Sequence, residues 1–215
     1  MNAVKIGVQQ NGSSSGATKQ MAIAAKTRAV GTRRLQQAVD IAGGAGEFSL
    51  ILATFCDFVL LTDYAPPSSA GLPAAISVQQ LDLNHDWAVV SESFDFAFAL
   101  ECIEHIENPR HFMREIARII KRGGHAFIST PNNESLASKF TFLVRGQHRY
   151  FQEAGYPAHI SPLLHCDFER MASECGFQVV DWFYSGSDTV PRLRWKIPFG
   201  GKLFSDTMGV LLVKP

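Results

Sequence analysis

Residues 38–48 read Ala-Val-Asp-Ile-Ala-Gly-Gly-Ala-Gly-Glu-Phe, with three glycines in the six positions after Asp40. Apolar residues lead in, and Phe48-Ser49-Leu50-Ile51-Leu52 leads out with a helix-like apolar run. The order is therefore a strand, a tight turn and a helix start, and it constrains the fold more than any other stretch. Gly43, Gly44 and Gly46 let the backbone bend sharply and approach a ligand closely. The helix after the turn aims its N–H groups toward that ligand.

A glycine turn alone is shared by dinucleotide sites and by turns that bind nothing, so its neighbours decide. The dinucleotide spacing is G-x-G-x-x-G, whereas this chain has Asp40-x-Ala42-x-Gly44-x-Gly46. That spacing resembles the first motif of the class I S-adenosylmethionine-dependent methyltransferases, Asp-x-Gly-x-Gly-x-Gly, with Ala42 in place of the first glycine. The resemblance implies a single Rossmann-like doubly wound α/β sheet, mostly parallel with an antiparallel last strand. It also implies S-adenosylmethionine as cofactor, held around Asp40, Ala42, Gly43, Gly44 and Gly46.

A chain of 215 residues is long enough for one domain with a sizeable core. Twenty basic and 20 acidic residues balance, so no global charge draws the chain to nucleic acid or to a membrane surface. Cys56, Cys102, Cys166 and Cys175 show no C-x-x-C pairing and read as buried thiols in a reducing compartment. No apolar run reaches membrane-spanning length, and the first residues do not read as a secretion signal, so a cytoplasmic location is expected. The Gly-Ser patch at residues 11–16 gives residues 1–17 the character of a flexible lead-in, with the domain proper over residues 18–215.

Residues 18–30 have an amphipathic helical pattern ended by Gly31. Two roles are open for this helix: a cover over the cofactor, as in the resembling family, or a packing helix with a solvated basic face of Lys19, Lys26 and Arg28. The first strand follows at about residues 37–41, a helix at 47–54, and a second strand through Phe58-Val59-Leu60-Leu61 to Thr62-Asp63-Tyr64. An acidic residue closing the second strand about 20 residues past the glycines is placed to bind ribose hydroxyls. Asp63 takes that role, with Tyr64 beside it. Pro66, Pro67, Gly71 and Pro73 leave the next crossover helix short or missing. A third strand over residues 76–81 leads to Asp82-Leu83, which by resemblance receive the adenine amino group and ring.

Residues 94–100 form a nearly continuous apolar strand suited to the centre of a parallel sheet, ending at Leu100, which by resemblance also borders the cofactor. Next comes Glu101-Cys102-Ile103-Glu104-His105-Ile106-Glu107-Asn108-Pro109, similar to the acidic-His stretch that follows the fourth strand in this family. Asn108 caps and Pro109 opens the next helix, which Gly123-Gly124 stop. A fifth strand is expected at 126–129 and a sixth at 177–184. A loop with Pro191, Arg192, Arg194, Trp195 and Pro198 then leads to a closing strand at 209–213. Residues 136–161 are the least regular part and, lying after a strand of an open α/β sheet, shape an acceptor pocket.

His105 is the candidate general base, its alternative being a histidine that caps a turn. Glu101, Glu104 and His105 fall at i, i+3 and i+4, on one face if the turn is helical. With His159 as a distant fourth ligand they resemble the metal set of O-methyltransferases of small-RNA 3′ ends and, less closely, of ubiquinone biosynthesis. The same Glu-His stretch also occurs in metal-free relatives, so the pattern does not by itself assign an ion. The expected activity is methyl transfer to an O or N of a small-molecule, lipid-precursor or sugar acceptor. A methyltransferase-like module that binds cofactor without turnover is the alternative, and a nicotinamide oxidoreductase is disfavoured by the glycine spacing.

Overall fold

The computed structural model describes residues 15–186 and 200–215. The order is α1 (Gly16–Val30), β1 (Leu35–Ile41), α2 (Glu47–Leu52), β2 (Cys56–Asp63), β3 (Ile76–Gln80), β4 (Phe94–Leu100), α3 (Pro109–Ile119), β5 (Ile120–Pro131), α4 (Leu136–Arg145), α5 (His165–Glu174), β6 (Gln178–Tyr184) and β7 (Thr207–Val213). Short 3₁₀ turns span Ile103–His105 and Glu153–Gly155. The seven strands form one sheet in the order β3-β2-β1-β4-β5-β7-β6. Strands β1 to β5 pair in parallel, and β7 lies antiparallel between β5 and β6. This is the doubly wound arrangement with an antiparallel last strand.

The alternation of β4 shows how the sequence builds two cores. Phe96, Phe98 and Leu100 pack with Met21, Ala22 and Ala25 of α1 and Phe48 and Leu52 of α2. Ala97 and Ala99 face the opposite layer, where Phe112, Met113 and Ile116 of α3 meet Phe168 and Met171 of α5. Successive strand residues point to opposite faces, so one strand serves both layers. At Gly209 of β7 a Cβ would come within 2.3 Å of the Phe127 ring, so the strand can cross there only because the side chain is missing.

The structure departs from expectation in several places. Helix α3 ends at Ile119, and Gly123-Gly124 lie inside a 12-residue β5. The helix stops where its apolar stripe meets the strand pairing of Ile120 with Phe94, before any glycine is reached. Residues 136–161 contain a capped helix, α4, whose start is set by Ser135 accepting from the Ser138 amide. Lys26 belongs to no solvated face: it is buried, its Nζ donating to the Gly31 carbonyl at 3.0 Å with the Phe55 ring beneath it. Cys166 is exposed, unlike the buried Cys56 and Cys102. The crossover between β2 and β3 has no helix, as its prolines require. The loop at residues 191–198 lies outside the described residues, as does most of the lead-in. Among the described residues, no helix is long and apolar enough to cross a membrane.

Candidate functional site

The C-terminal ends of β1, β2, β3 and β4 carry most of the expected site residues to one edge of the sheet. After β1, Ala42 (φ 57°), Gly44 (φ 54°) and Gly46 (φ 86°) all adopt left-handed backbone. Gly43 has no room for a side chain, since a Cβ would approach Asp40 Oδ2 to 2.8 Å. Ala42 adopts its left-handed conformation against the steric preference of a residue with a Cβ. Helix α2, only six residues long, starts from Gly46 as its N-cap.

The end of β2 is tied to this turn. The Gly44 amide donates to Asp63 Oδ2 at 2.9 Å, and the Gly43 amide donates to the Thr62 carbonyl. The other Asp63 oxygen accepts from the Ala65 amide at 3.0 Å. A carboxylate has about four lone-pair sites, so two such bonds leave capacity for a ligand. Asp40 beneath the turn is 2 % exposed. Burial pushes its pKa up to about 7, against the hydrogen bond from the Ser49 hydroxyl and with repulsion from Asp63. Tyr64 beside Asp63 is exposed.

One strand further out, Asp82 accepts from the Asn84 amide at 3.0 Å and lies 3.1 Å from His85 Nδ1, while Leu83 is buried. Leu100 closes β4 on the face of the α1 and α2 core. The next residue, Glu101, adopts φ 52°. Its Oε1 accepts from the Thr18 hydroxyl of α1 at 2.9 Å and from the Thr207 hydroxyl of β7 at 3.0 Å. The first turn of α1 is thereby fastened over the edge of the sheet, helped by the Lys19–Glu47 ion pair at 2.6 Å.

The expected four-residue metal set divides. Glu104, His105 and His159 each place one ligating atom within 4.8 Å of the others, and Glu101 falls outside that group. The helical face that would have aligned Glu101 with the others does not form, because the 3₁₀ turn begins only at Ile103. His159 arrives through backbone pairing: the Ile160 and Ser161 amides both donate to the Glu104 carbonyl, and the Ser161 hydroxyl donates to the Ile106 carbonyl. The two imidazoles meet edge to face with centroids 4.8 Å apart.

Protonation is directed by the backbone. His105 Nδ1 lies 2.7 Å from the Ala158 carbonyl and His159 Nδ1 lies 2.8 Å from the Tyr150 carbonyl. A neutral ring donating from Nδ1 keeps its lone pair on Nε2, the usual way a ligating or basic histidine is oriented. Burial holds the His105 pKa below the usual imidazole range, with the Ala158 carbonyl opposing. Burial likewise pushes Glu104 up to about 8, reinforced by the neighbouring Glu101 and opposed by the Thr130 hydroxyl on Oε2. A buried carboxyl group beside two imidazole nitrogens is a donor set that suits a divalent cation.

A second polar group at the same edge escaped the sequence reading. His165 Nδ1 bonds the Glu134 carboxylate and His165 Nε2 lies 2.7 Å from the Tyr184 hydroxyl. Burial of Glu134 is outweighed by the His165 amide and ring and by Lys202, which hold its pKa down to about 2. Beside it the buried Asn133 Oδ1 has no hydrogen-bond partner among the described residues. Nothing in the local sequence joins residues 134, 165 and 184, which meet because β5 and β6 end, and α5 begins, at one place. Thr18, Thr130 and Thr207 were missed for the same reason.

A model of the methyltransferase domain matches residues 18–181. Among curated proteins, the chain is 44% identical over 46 residues to the mitochondrial ubiquinone biosynthesis O-methyltransferase of Dictyostelium discoideum, covering 21% of this chain and 14% of that protein. It is 26% identical over 136 residues to the ubiquinone biosynthesis O-methyltransferase of Coxiella burnetii, covering 56% of this chain and 58% of the relative. The matches thus span little more than half of these relatives at most. Among solved structures, a putative methyltransferase of Haloferax volcanii, in complex with the Trm112 activator, superposes with a TM-score of 0.67 at 16% identity, over 91% of this chain and 89% of that one. The N-methyltransferase NodS of Bradyrhizobium japonicum, bound to S-adenosylhomocysteine, gives 0.60 at 15% identity over 93% and 88%. At such identities the structural likeness speaks for the fold.

Proposed function

The chain belongs to the methyltransferase-domain family, and we propose that it transfers a methyl group from S-adenosylmethionine to an O or N of a small-molecule, lipid-precursor or sugar acceptor. The observation that carries this reading is the join between the glycine turn and Asp63, which sets a carboxylate against backbone that no side chain obstructs. Desolvation disfavours the charged forms of the buried Asp40 and Glu104, and a cationic ligand at this edge would favour them.

In this reading Asp63 accepts the ribose hydroxyls, Asp82 and the Leu83 amide border the adenine, and Ala42, Gly43, Gly44, Gly46, Tyr64 and Leu100 line the remaining wall. When bound, the cofactor supplies a methyl group on a sulfonium, a good leaving group, so that positioning contributes much of the rate. The residues of this chain then orient the acceptor. His105, its Nδ1 proton held by the Ala158 carbonyl, takes the acceptor proton at Nε2. The activity is placed in the cytoplasm, a reading supported by free thiols at all four cysteines.

The convergence of Glu104, His105 and His159 favours a second reading of the same edge. There the three would hold a divalent ion such as magnesium or manganese, which lowers the pKa of an acceptor hydroxyl. Calorimetry with S-adenosylhomocysteine and transfer of tritiated methyl from S-adenosylmethionine into candidate acceptors test the proposal. Binding with transfer supports it. Binding without transfer to any acceptor would favour a cofactor-binding module, and no binding would overturn both.

A further inference from the structure

Helix α4 is amphipathic in the wrong sense for a packed helix. Leu136, Phe140, Leu143 and Val144 fall at i, i+4, i+7 and i+8, one continuous face, and they are 47%, 68%, 82% and 65% exposed. Among the described residues, five of the ten exposed large hydrophobics lie on this one helix, and only Ser138 of the helix is buried. Leu203, also exposed, extends the patch, because the Leu136 amide donates to its carbonyl at 2.9 Å. Single exposed apolar residues are ordinary, but a contiguous patch marks a surface made to be covered.

The charge around the patch indicates what covers it. From Ser135 to Gln152 the chain has no Asp or Glu, while Lys139, Arg145 and Arg149 are basic, the last paired with Asp206 at 3.1 Å. Lys139 has no ion pair among the described residues, and Arg145 bonds the neutral Gln152 side chain at 2.5 Å, so both positive charges stay uncompensated. A chain with balanced overall charge has therefore set an apolar stripe beside unneutralised cations. That is the pattern of a helix lying in the interface of a membrane with anionic headgroups. A second copy of this chain fits poorly, because a two-fold contact through α4 would bring like charges together.

We propose that α4 docks this protein, peripherally and reversibly, on an anionic lipid surface, with Phe140, Leu143 and Val144 among the acyl chains and Lys139 and Arg145 at the headgroups. The chain leaving α4 runs through Tyr150, whose carbonyl bonds His159 of the Glu104-His105-His159 group. Docking stands independently of methyl transfer, and its test does not use activity.

The experiment is co-sedimentation of the full chain with phosphatidylcholine vesicles, with and without phosphatidylglycerol. Binding is expected to the anionic vesicles and to weaken with salt. Leu143→Glu is expected to reduce it about tenfold or more, since it puts a charge where the helix meets hydrocarbon. Lys139→Glu with Arg145→Glu is expected to remove the preference for phosphatidylglycerol. Val90→Glu, at an equally exposed apolar position elsewhere, is expected to leave binding unchanged. Absence of binding to anionic vesicles, or equal binding by the wild type and Leu143→Glu, would overturn the proposal. So would dimers in sedimentation equilibrium that Leu143→Glu disperses without any vesicle binding, which would assign the face to a second copy. A large loss of thermal stability in Leu143→Glu would show the face covered from within the chain and overturn it as well.

Discussion

The Gly44 amide donates to Asp63 Oδ2 across 2.9 Å, joining the glycine turn after β1 to the end of β2, 19 residues away. The same carboxylate thus orders the turn and presents its remaining lone pairs at the sheet edge.

Asp63→Ala removes both the orienting bond and the proposed ribose acceptor. Hydrogen bonds to a charged group are worth about 1.5–3 kcal/mol each, so the dissociation constant for S-adenosylhomocysteine is expected to rise at least about tenfold. Calorimetry on a variant shown to be folded by circular dichroism makes the check. An unchanged constant would remove Asp63 from the site.

Ala42 sits at φ 57°, where a Cβ is unfavourable. Left-handed backbone costs an L-residue roughly 1–2 kcal/mol, of which glycine's greater unfolded entropy takes back about half. Ala42→Gly is therefore expected to stabilise the fold by about 0.5–1 kcal/mol, a rise in Tm of roughly 2 °C. A lower Tm would mean that the methyl group packs more usefully than the backbone strain costs.

Gly209 is the opposite case, since any side chain there meets the buried Phe127 ring. Gly209→Ala is expected to cost about 2 kcal/mol or more through overpacking, read as a lower midpoint in urea with an unchanged slope.

Asp40 carries a raised pKa, from 3.8 to about 7. In that window the folded state holds a proton that the unfolded state has released, so the free protein loses stability as pH rises through it. Asp40→Asn is expected to flatten this slope in thermal melts taken across the window. A cationic ligand favours the charged form, so cofactor binding should tighten over the same rise in pH. A slope unchanged in the variant would assign the dependence to other groups.

If Glu104, His105 and His159 hold an ion, a chelator is expected to abolish turnover and manganese or magnesium to restore it. Should the rate survive chelation, His105→Ala is still expected to slow a hydroxyl acceptor by ~100-fold as a lost base. Full activity in both experiments would leave a site that works by positioning alone.

The sequence by itself determined the sheet and the glycine turn at its edge, because those features are local. Strand period, the Asn108-Pro109 helix start, the glycine turn and the strand ends at Asp63 and Leu100 are written in neighbouring residues. Period and capping act over a few positions, so they can be read without knowing the rest of the chain. Where a competing long-range interaction won, the reading failed. Helix α3 yields to the pairing of Ile120 with Phe94 before its glycines, and Lys26 is drawn inward over the Phe55 ring. The three-residue cluster was decided by tertiary structure alone. His159 reaches Glu104 through backbone bonds from Ile160 and Ser161, and Glu101 is drawn away by hydroxyls from α1 and β7. Contacts across 53 to 106 residues depend on which elements end at the same edge of the sheet, and no local pattern encodes that.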